Sequence, residues 1–303
     1  MKGEAGNTIR MATILFATDF SEVSAKALPY AAAFARRFGA ELCVVHAPGG
    51  GGTEPGAGNG AAVAATHLRR EAEARTNRLL EAAHFRGVRH RVELAEGETL
   101  PALARVAAER GADLMVLGMH GWHGLAKLLM GSVAEEILRL AEIPVLLVGP
   151  EVSVRPEEEL AVERVLCAAD FSPGCGRALH YAGAIAAAEH ARLLVLHVVE
   201  DIWKEPMSTR LRAEEFLRVR LLETGRLGSF DAAEAELLVD FGPAEERIVQ
   251  QAELHGVELI VLDVPSTAHA MLAAHLPGPV AYNVASHARC PVLAVRGAPH
   301  MAE

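Results

Sequence analysis

The chain has 303 residues and a formal net charge of −10, and this length suits two domains of about 150 residues each. The acidic charge argues against nucleic acid or an anionic membrane surface as a partner. Aromatic residues make up only 5% of the chain, while alanine, leucine and valine dominate, which favours helices packed on a buried parallel sheet.

The sequence also bears on the cellular compartment. The first ten residues, MKGEAGNTIR, lack the apolar core of a secretory signal, and no apolar run approaches the ~18–20 residues of a membrane span. The four cysteines form no CxxC pair, and two of them, Cys43 and Cys167, lie in apolar strand patterns. This predicts buried thiols rather than a disulfide framework, in a cytoplasmic protein without a membrane partner.

The first half alternates strand and helix patterns after a flexible leader expected at residues 1–10. The apolar periodicity predicts strands at 13–17, 41–46, 88–94 and 113–117, and helices at about 22–37, 63–84 and 100–110. Ser21 is the expected N-cap of the first helix, and Gly39 is expected to end it. Residues 48–60, PGGGGTEPGAGNG, are predicted to be a low-complexity linker, or alternatively a lid over a ligand.

Residues 113–148 carry the most specific pattern in the chain. In order, they contain an apolar strand, Gly118, Gly121, nine further residues, Gly131, Ser132 and a helix at 133–140. Glycine at a strand end lets backbone N–H groups approach an anion. A Gly-Ser pair at a helix start adds free N–H groups, a hydroxyl and the positive end of the helix dipole. The spacing G-x2-G-x9-G-S therefore predicts a phosphate cradle rather than ordinary turns.

These residues, together with the run Ile143-Pro144-Val145 to Val148, resemble the nucleotide signature of the universal stress protein family. The resemblance implies that ATP, ADP or AMP binds to a Rossmann-like α/β domain of the adenine nucleotide alpha hydrolase-like kind. It implies a five-stranded parallel sheet with helices on both faces. The residues implied to hold the nucleotide are Ala17, Thr18, Asp19, Ala47, Gly118, Met119, His120, Gly121, Gly131, Ser132 and Val133.

Within this set, three residues have distinguishable expected roles. The resemblance implies that Asp19 lies near the base and sugar and that Ala47 gives a backbone contact to adenine. Asp19 follows the first strand, so it is also placed to accept a hydrogen bond or to help hold a phosphate-bound Mg²⁺. His120 lies between the loop glycines and either contacts phosphate or faces solvent.

The second half repeats the first. Residues 164–172 echo 12–21, residues 194–198 echo 43–47, and residues 290–295 echo 143–148. Such self-similarity predicts a duplication, with one βαβαβαβαβ domain at 11–150 and another at 164–297. Residues 151–163 are then a linker and residues 298–303 a tail. The family resemblance covers both halves and implies a tandem member.

The second half departs from the phosphate pattern at four positions. Asp263 replaces Gly118, Ser266 replaces Gly121, Gly278-Pro279 replaces Gly131-Ser132, and Ala169 replaces Thr18. Proline offers neither an N–H nor a hydroxyl to a phosphate, and aspartate adds a repelling charge. We therefore expect the second domain not to bind ATP.

Three classes of function remain open at this stage. One is a nucleotide-dependent stress-response regulator with little or no catalysis, the second a slow ATPase or self-phosphorylating enzyme using Mg²⁺, and the third a scaffold without nucleotide. No evident base, nucleophile or carboxylate pair accompanies the glycine motif, which favours the first class.

The last strand of each half bears on assembly. Residues 144–148 and 291–295 carry no charge, and an exposed apolar edge would be a template for further strand pairing. The resemblance and this pattern predict that the two domains pair through these strands within one chain. Further pairing into a homodimer is compatible with the sequence.

Overall fold

The structure, a computed structural model, describes residues 9–47, 59–81, 83–119, 132–153, 160–170, 175–200, 207–224, 226–227, 230–264 and 280–296. The chain divides into two compact units. The N-terminal unit consists mainly of residues 10–118, and the C-terminal unit mainly of residues 119–154 and 158–303. The division falls inside the first repeat, so the last helix and strand of that repeat belong to the C-terminal unit.

The N-terminal unit is a parallel sheet with helical crossovers. Its strands are β1 (Thr13–Ala17), β2 (Glu41–His46), β3 (His90–Leu94) and β4 (Leu114–Gly118), and its helices are α1 (Glu22–Phe38), α2 (Asn59–Leu80) and α3 (Thr99–Arg110). The strand order is β4-β1-β2-β3, and all three pairings are parallel. The central residues of β1 and β2 are buried, as expected for strands covered on both faces.

The ends of α1 follow the predicted caps. The Ser21 side chain accepts a hydrogen bond from the Ser24 N–H at 3.1 Å, and Gly39 ends the helix in the left-handed conformation with φ 64°. Both features were expected from the residue types and are confirmed. Between them, α1 buries a row of small residues, including Ala27, Ala31 and Ala32, so its backbone can lie close to the sheet.

Residues of two segments that were expected to be flexible differ from that expectation. Helix α2 begins at Asn59, so the last two residues of the expected linker 48–60 are helical, and residues 48–58 lie outside the described part. The helical turns that follow favour Asn59 and Gly60 as a first turn despite the low propensity of glycine. Ile9, which lies within the expected leader, is 7% exposed.

The C-terminal unit contains the rest of the first repeat and the second repeat. Its elements are α4 (Ser132–Leu140), β5 (Val145–Val148), β6 (Arg164–Ala168), α5 (Cys175–Glu189), β7 (Arg192–Val199), α6 (Met207–Thr224), β8 (Arg226–Leu227), β9 (Phe230–Asp231), β10 (Glu236–Phe241), α7 (Ala244–Leu254), β11 (Leu259–Val264), α8 (Val280–His287) and β12 (Val292–Arg296). The main sheet runs in the order β10-β7-β6-β11-β12-β5. Its pairings are parallel except that of β12 with β5, which is antiparallel.

The chain is α/β with tandem Rossmann-like repeats, as predicted, but the strand counts differ from five in each sheet. Four strands lie in the sheet of the N-terminal unit and six in that of the C-terminal unit. The reason is the pairing of β5 with β12, in which Leu146 faces Leu293 in register. This pairing assigns β5 to the same compact unit as the second repeat.

The four cysteines are in the state that the sequence predicts. All four cysteines are buried thiols, which confirms the expectation for Cys43 and Cys167. Burial raises the pKa of both thiols. Among the described residues, no helix is both long and apolar enough to cross a membrane.

Candidate functional site

The turn after β1 is the most elaborately hydrogen-bonded part of the strand-end edge. Thr18 is buried, and its N–H donates to the Val45 carbonyl at 2.9 Å, which extends the parallel pairing by one residue. Its hydroxyl accepts from the Phe20 N–H at 3.0 Å and exchanges a hydrogen bond with the Ser24 hydroxyl at 3.0 Å. Because these partners engage the hydroxyl, the Thr18 side chain shapes the turn.

Phe20 is held in an unusual backbone conformation. Its φ is 62°, the left-handed region that bulky residues seldom adopt. The Phe20 ring lies 4.4 Å from the His46 ring, tilted by 42°. The His46 Nδ1 lies 2.8 Å from the Thr18 carbonyl oxygen, and a carbonyl only accepts, so Nδ1 carries the proton. His46 therefore joins the ends of β1 and β2 and supports the strained turn from one side.

Asp19 stands at the centre of this turn with an exposed side chain. Its Oδ1 accepts a hydrogen bond from the Ser21 N–H at 2.9 Å. Partial burial acts to raise the pKa of Asp19, but hydrogen bonds from Ser21 and Ser24 outweigh it, and the pKa lies below its usual value. The carboxylate is thus ionised at neutral pH and can accept hydrogen bonds from a ligand.

Gly118 ends β4 beside β1, where Ala17 and Leu117 are in register. A Cβ at Gly118 would lie 2.7 Å from the carbonyl carbon of Val23 and 2.9 Å from the Ser24 Cα, and closer still to the Val23 carbonyl oxygen. The glycine is therefore required for the close approach of the first turn of α1. From the sequence, Gly118 was expected only to let backbone N–H groups approach an anion, and its packing against α1 is an additional finding.

The remaining expected site residues are distributed as follows. Ala47 follows His46 directly and is half-buried. Met119 is buried in the C-terminal unit, where its N–H donates to the Val148 carbonyl at 3.0 Å. Ser132 and Val133 form the first turn of α4, and Val133 is 41% exposed. The expected residues that lie outside the described part of the chain are His120, Gly121 and Gly131.

The second repeat keeps part of the strand-end arrangement. His197 Nδ1 lies 2.8 Å from the Ala169 carbonyl oxygen, which repeats the His46 contact, and the Ala169 N–H donates to the Leu196 carbonyl. Ala169 has no hydroxyl, so the contacts made by the Thr18 hydroxyl have no equivalent here. Asp263, which corresponds in sequence to Gly118 at the end of β4, lies within β11, because β11 continues to Val264.

Sequence reasoning missed the supporting residues of the turn. It assigned Ser21 only as a helix cap and did not single out Phe20 or Ser24. The signal was available as three hydroxyl residues and an aromatic within Thr18–Ser24, TDFSEVS, since serine and threonine favour local side-chain bonds at turns and caps.

The described residues contain no group of three or more His, Cys, Asp or Glu side chains that could hold a metal ion. Mg²⁺ in nucleotide sites commonly keeps several waters and binds one or two carboxylates together with phosphates. The exposed carboxylate of Asp19 fits such a role.

The fold defines a tandem Rossmann-like α/β protein whose first repeat has a hydrogen-bonded turn at the carboxyl end of β1. The sequence matches the model of the universal stress protein family twice, over residues 11–149 and 161–296. The chain therefore belongs to the universal stress protein family.

Related sequences match at the scale of one repeat, whereas a related structure matches nearly the whole chain. A universal stress protein of Methanocaldococcus jannaschii is 32% identical over 144 residues, which cover 45% of this chain and 80% of that protein. The universal stress protein YxiE of Bacillus subtilis is 31% identical over 143 residues, covering 45% and 97% respectively. The crystal structure of a universal stress protein from Archaeoglobus fulgidus shares the fold, with a TM-score of 0.65 and 20% identity over 95% of this chain and 99% of that chain.

Proposed function

We propose that the first repeat binds one adenine nucleotide, ATP or its products ADP and AMP, and that the chain acts as a nucleotide-dependent regulator of the stress response in the cytoplasm. The observation that carries the proposal is the turn Thr18–Phe20, where Asp19 is kept ionised and exposed at the carboxyl end of β1. Ligands of open parallel sheets bind at this edge.

In the proposed complex, the Asp19 carboxylate accepts hydrogen bonds from the base or sugar, and Ala47 contacts adenine through its backbone. The phosphates bind the N–H groups of Gly121, Gly131, Ser132 and Val133, a part of the proposal that rests on the G-x2-G-x9-G-S spacing. When bound, Mg²⁺ would neutralise phosphate charge and be held in part by Asp19.

The second repeat is proposed not to bind ATP. Support comes from the missing Thr18 hydroxyl at Ala169 and from Pro279, which removes one N–H at the start of α8. Calorimetric titration of the full chain with ATP is expected to give one site per chain. A stoichiometry of two would refute the proposal for the second repeat.

A matched pair of variants tests whether the Asp19 carboxylate contributes to nucleotide binding. Asp19→Asn is expected to weaken ATP binding about tenfold to a hundredfold, since a hydrogen bond to a charged group contributes ~1.5–3 kcal/mol. Asp170→Asn, the same change at the corresponding position of the second repeat, is expected to leave the affinity unchanged. Equal effects of the two changes would place the site elsewhere.

A second test concerns the phosphate cradle and the fate of the nucleotide. Gly121→Asp introduces a negative charge into the glycine motif, as Asp263 does at the position of Gly118 in the second repeat. The variant is expected to weaken ATP binding at least tenfold. Chromatography of the nucleotide after prolonged incubation with the protein separates the classes of function. Intact ATP supports a regulator, accumulation of ADP indicates the slow ATPase, and absence of binding indicates the scaffold.

We also propose that the two repeats pair through their last strands within one chain. The antiparallel register of β5 with β12 supports this, because each strand covers an apolar edge of the other. A fragment ending at residue 155 would expose β5 and is expected to self-associate in sedimentation experiments. A fragment that remains monomeric at high concentration would contradict the proposal. Pairing of whole chains into a homodimer stays a prediction.

A further inference from the structure

The last residue of β12 reaches the C-terminal end of α4. Arg296 is only 7% exposed, and its guanidinium donates from Nε to the Ala141 carbonyl at 2.7 Å and from Nη2 to the Leu138 carbonyl at 2.6 Å. The last carbonyls of a helix lack partners within the helix. Arg296, from the second repeat, therefore caps a helix of the first repeat.

This cap resists displacement of α4. Burial lowers the pKa of Arg296, while the nearby charge of Asp263 favours the protonated form. A cation at the negative end of the helix dipole is stabilising. If α4 moved, the buried guanidinium would lose its hydrogen bonds to both carbonyls, which is costly for a buried donor. The C-terminal end of α4 is thus fixed relative to β12.

The equivalent position in the first repeat makes a different contact with α8. Gly149 corresponds in sequence to Arg296, and Ala285 in α8 corresponds to Leu138. A Cβ at Gly149 would lie 3.1 Å from the Ala285 carbonyl carbon and closer to its oxygen, so no side chain fits there. In the described part of the chain, Arg296 thus caps α4, which follows the Gly131-Ser132 motif in sequence, whereas Gly149 cannot give α8 the equivalent cap.

We propose that Arg296 is a positioning residue for the nucleotide phosphates, which it orients by fixing α4 from the opposite end. The inference rests on the proposed function, since the N–H groups concerned are those of Ser132 and Val133. Helix α4 has nine residues and is therefore ~13 Å long, so Arg296 at its C-terminal end is far beyond hydrogen-bond distance of these N–H groups. Arg296 acts through the orientation of the helix. The second repeat thereby supports the site of the first.

The test compares two ligands in the full chain. Arg296→Met keeps an unbranched side chain in the place of the aliphatic stem and removes the charge and the donors. We expect ATP affinity to fall about tenfold, within the roughly 2- to 30-fold range of indirect coupling, while adenosine affinity, which needs no phosphate contact, changes less than twofold. Arg192→Met is the control, since Arg192 lies in the same repeat, with a side chain 74% exposed and paired with Glu236, and should change neither affinity.

A second measurement does not require nucleotide. Hydrogen exchange of the free protein should be faster in α4 in Arg296→Met and unchanged in α7. Arg296→Lys, which keeps the charge but loses the two-donor geometry, should give an intermediate result and serves if the methionine variant does not fold. Equal losses for ATP and adenosine, or unchanged ATP affinity, would overturn the positioning role. A wild-type chain that binds neither ligand would instead refute the proposed function, with the exchange experiment still deciding whether Arg296 fixes α4.

Discussion

Substitution of Gly118 by alanine probes the close packing of β4 against α1. The added Cβ would lie 2.7 Å from the Val23 carbonyl carbon and 2.9 Å from the Ser24 Cα, well inside ordinary contact. These neighbours are backbone atoms of a helix, so they can yield only if the whole first turn of α1 moves. Overpacking costs about 1–3 kcal/mol, and a rigid backbone partner places Gly118→Ala at the upper end, about 3 kcal/mol.

The assay is urea denaturation followed by circular dichroism, with the unfolding free energy obtained by linear extrapolation. The matched control is Gly176→Ala, because Gly176 lies in α5 with nothing within 4 Å of its Cβ position. The control is expected to be neutral or stabilising by up to ~1 kcal/mol. If Gly118→Ala costs less than ~0.5 kcal/mol, the close approach of α1 does not require a glycine and the reasoning fails.

Three further predictions use the same denaturation assay. Gly149→Ala is expected to cost at least ~2 kcal/mol, because its Cβ would lie 3.1 Å from the Ala285 carbonyl carbon; a neutral result would contradict this packing. Ser21→Ala removes the N-cap of α1 and is expected to cost ~1 kcal/mol, with an unchanged midpoint as the contrary outcome. The folded pKa of Asp19 is below its ordinary 3.8, so the stability it contributes is present above pH 3.8 and is lost as the pH falls through the folded pKa. Asp19→Asn should abolish this part of the acid dependence, and identical acid profiles would refute it.

Much of the architecture could be predicted because local signals agree with the final fold. Apolar runs of strand length, the cap at Ser21 and the left-handed glycine at Gly39 each specify a local structure independently of the rest of the chain. The internal repeat then fixed the order of the elements. The helix start at Asn59 could not be predicted, because the flanking glycines and proline resemble a linker and the first turn of α2 is decided by the turns that follow it.

The sequence indicated which residues form the candidate site, which stays a prediction, but it did not indicate the contacts that support the turn after β1. The resemblance indicated Asp19 and Gly118, whereas the left-handed Phe20 and its contact with His46 depend on two strands that are distant in sequence. The antiparallel register of β5 with β12 is likewise a long-range pairing. Arg296 could not have been identified from the sequence, since a lone arginine after an apolar strand gives no indication that it caps a helix of the other repeat.

The contrast between Gly149 and Arg296 has a consequence for how such a chain can change over generations. In a protein assembled from two identical copies, one codon specifies both sides of the symmetry axis, so an arginine at this position would appear twice. In the present chain each side has its own codon, and only one side has room for a side chain. Duplication within one gene thus permits the two sides of the internal repeat to carry different residues at the same position and to make different contacts there.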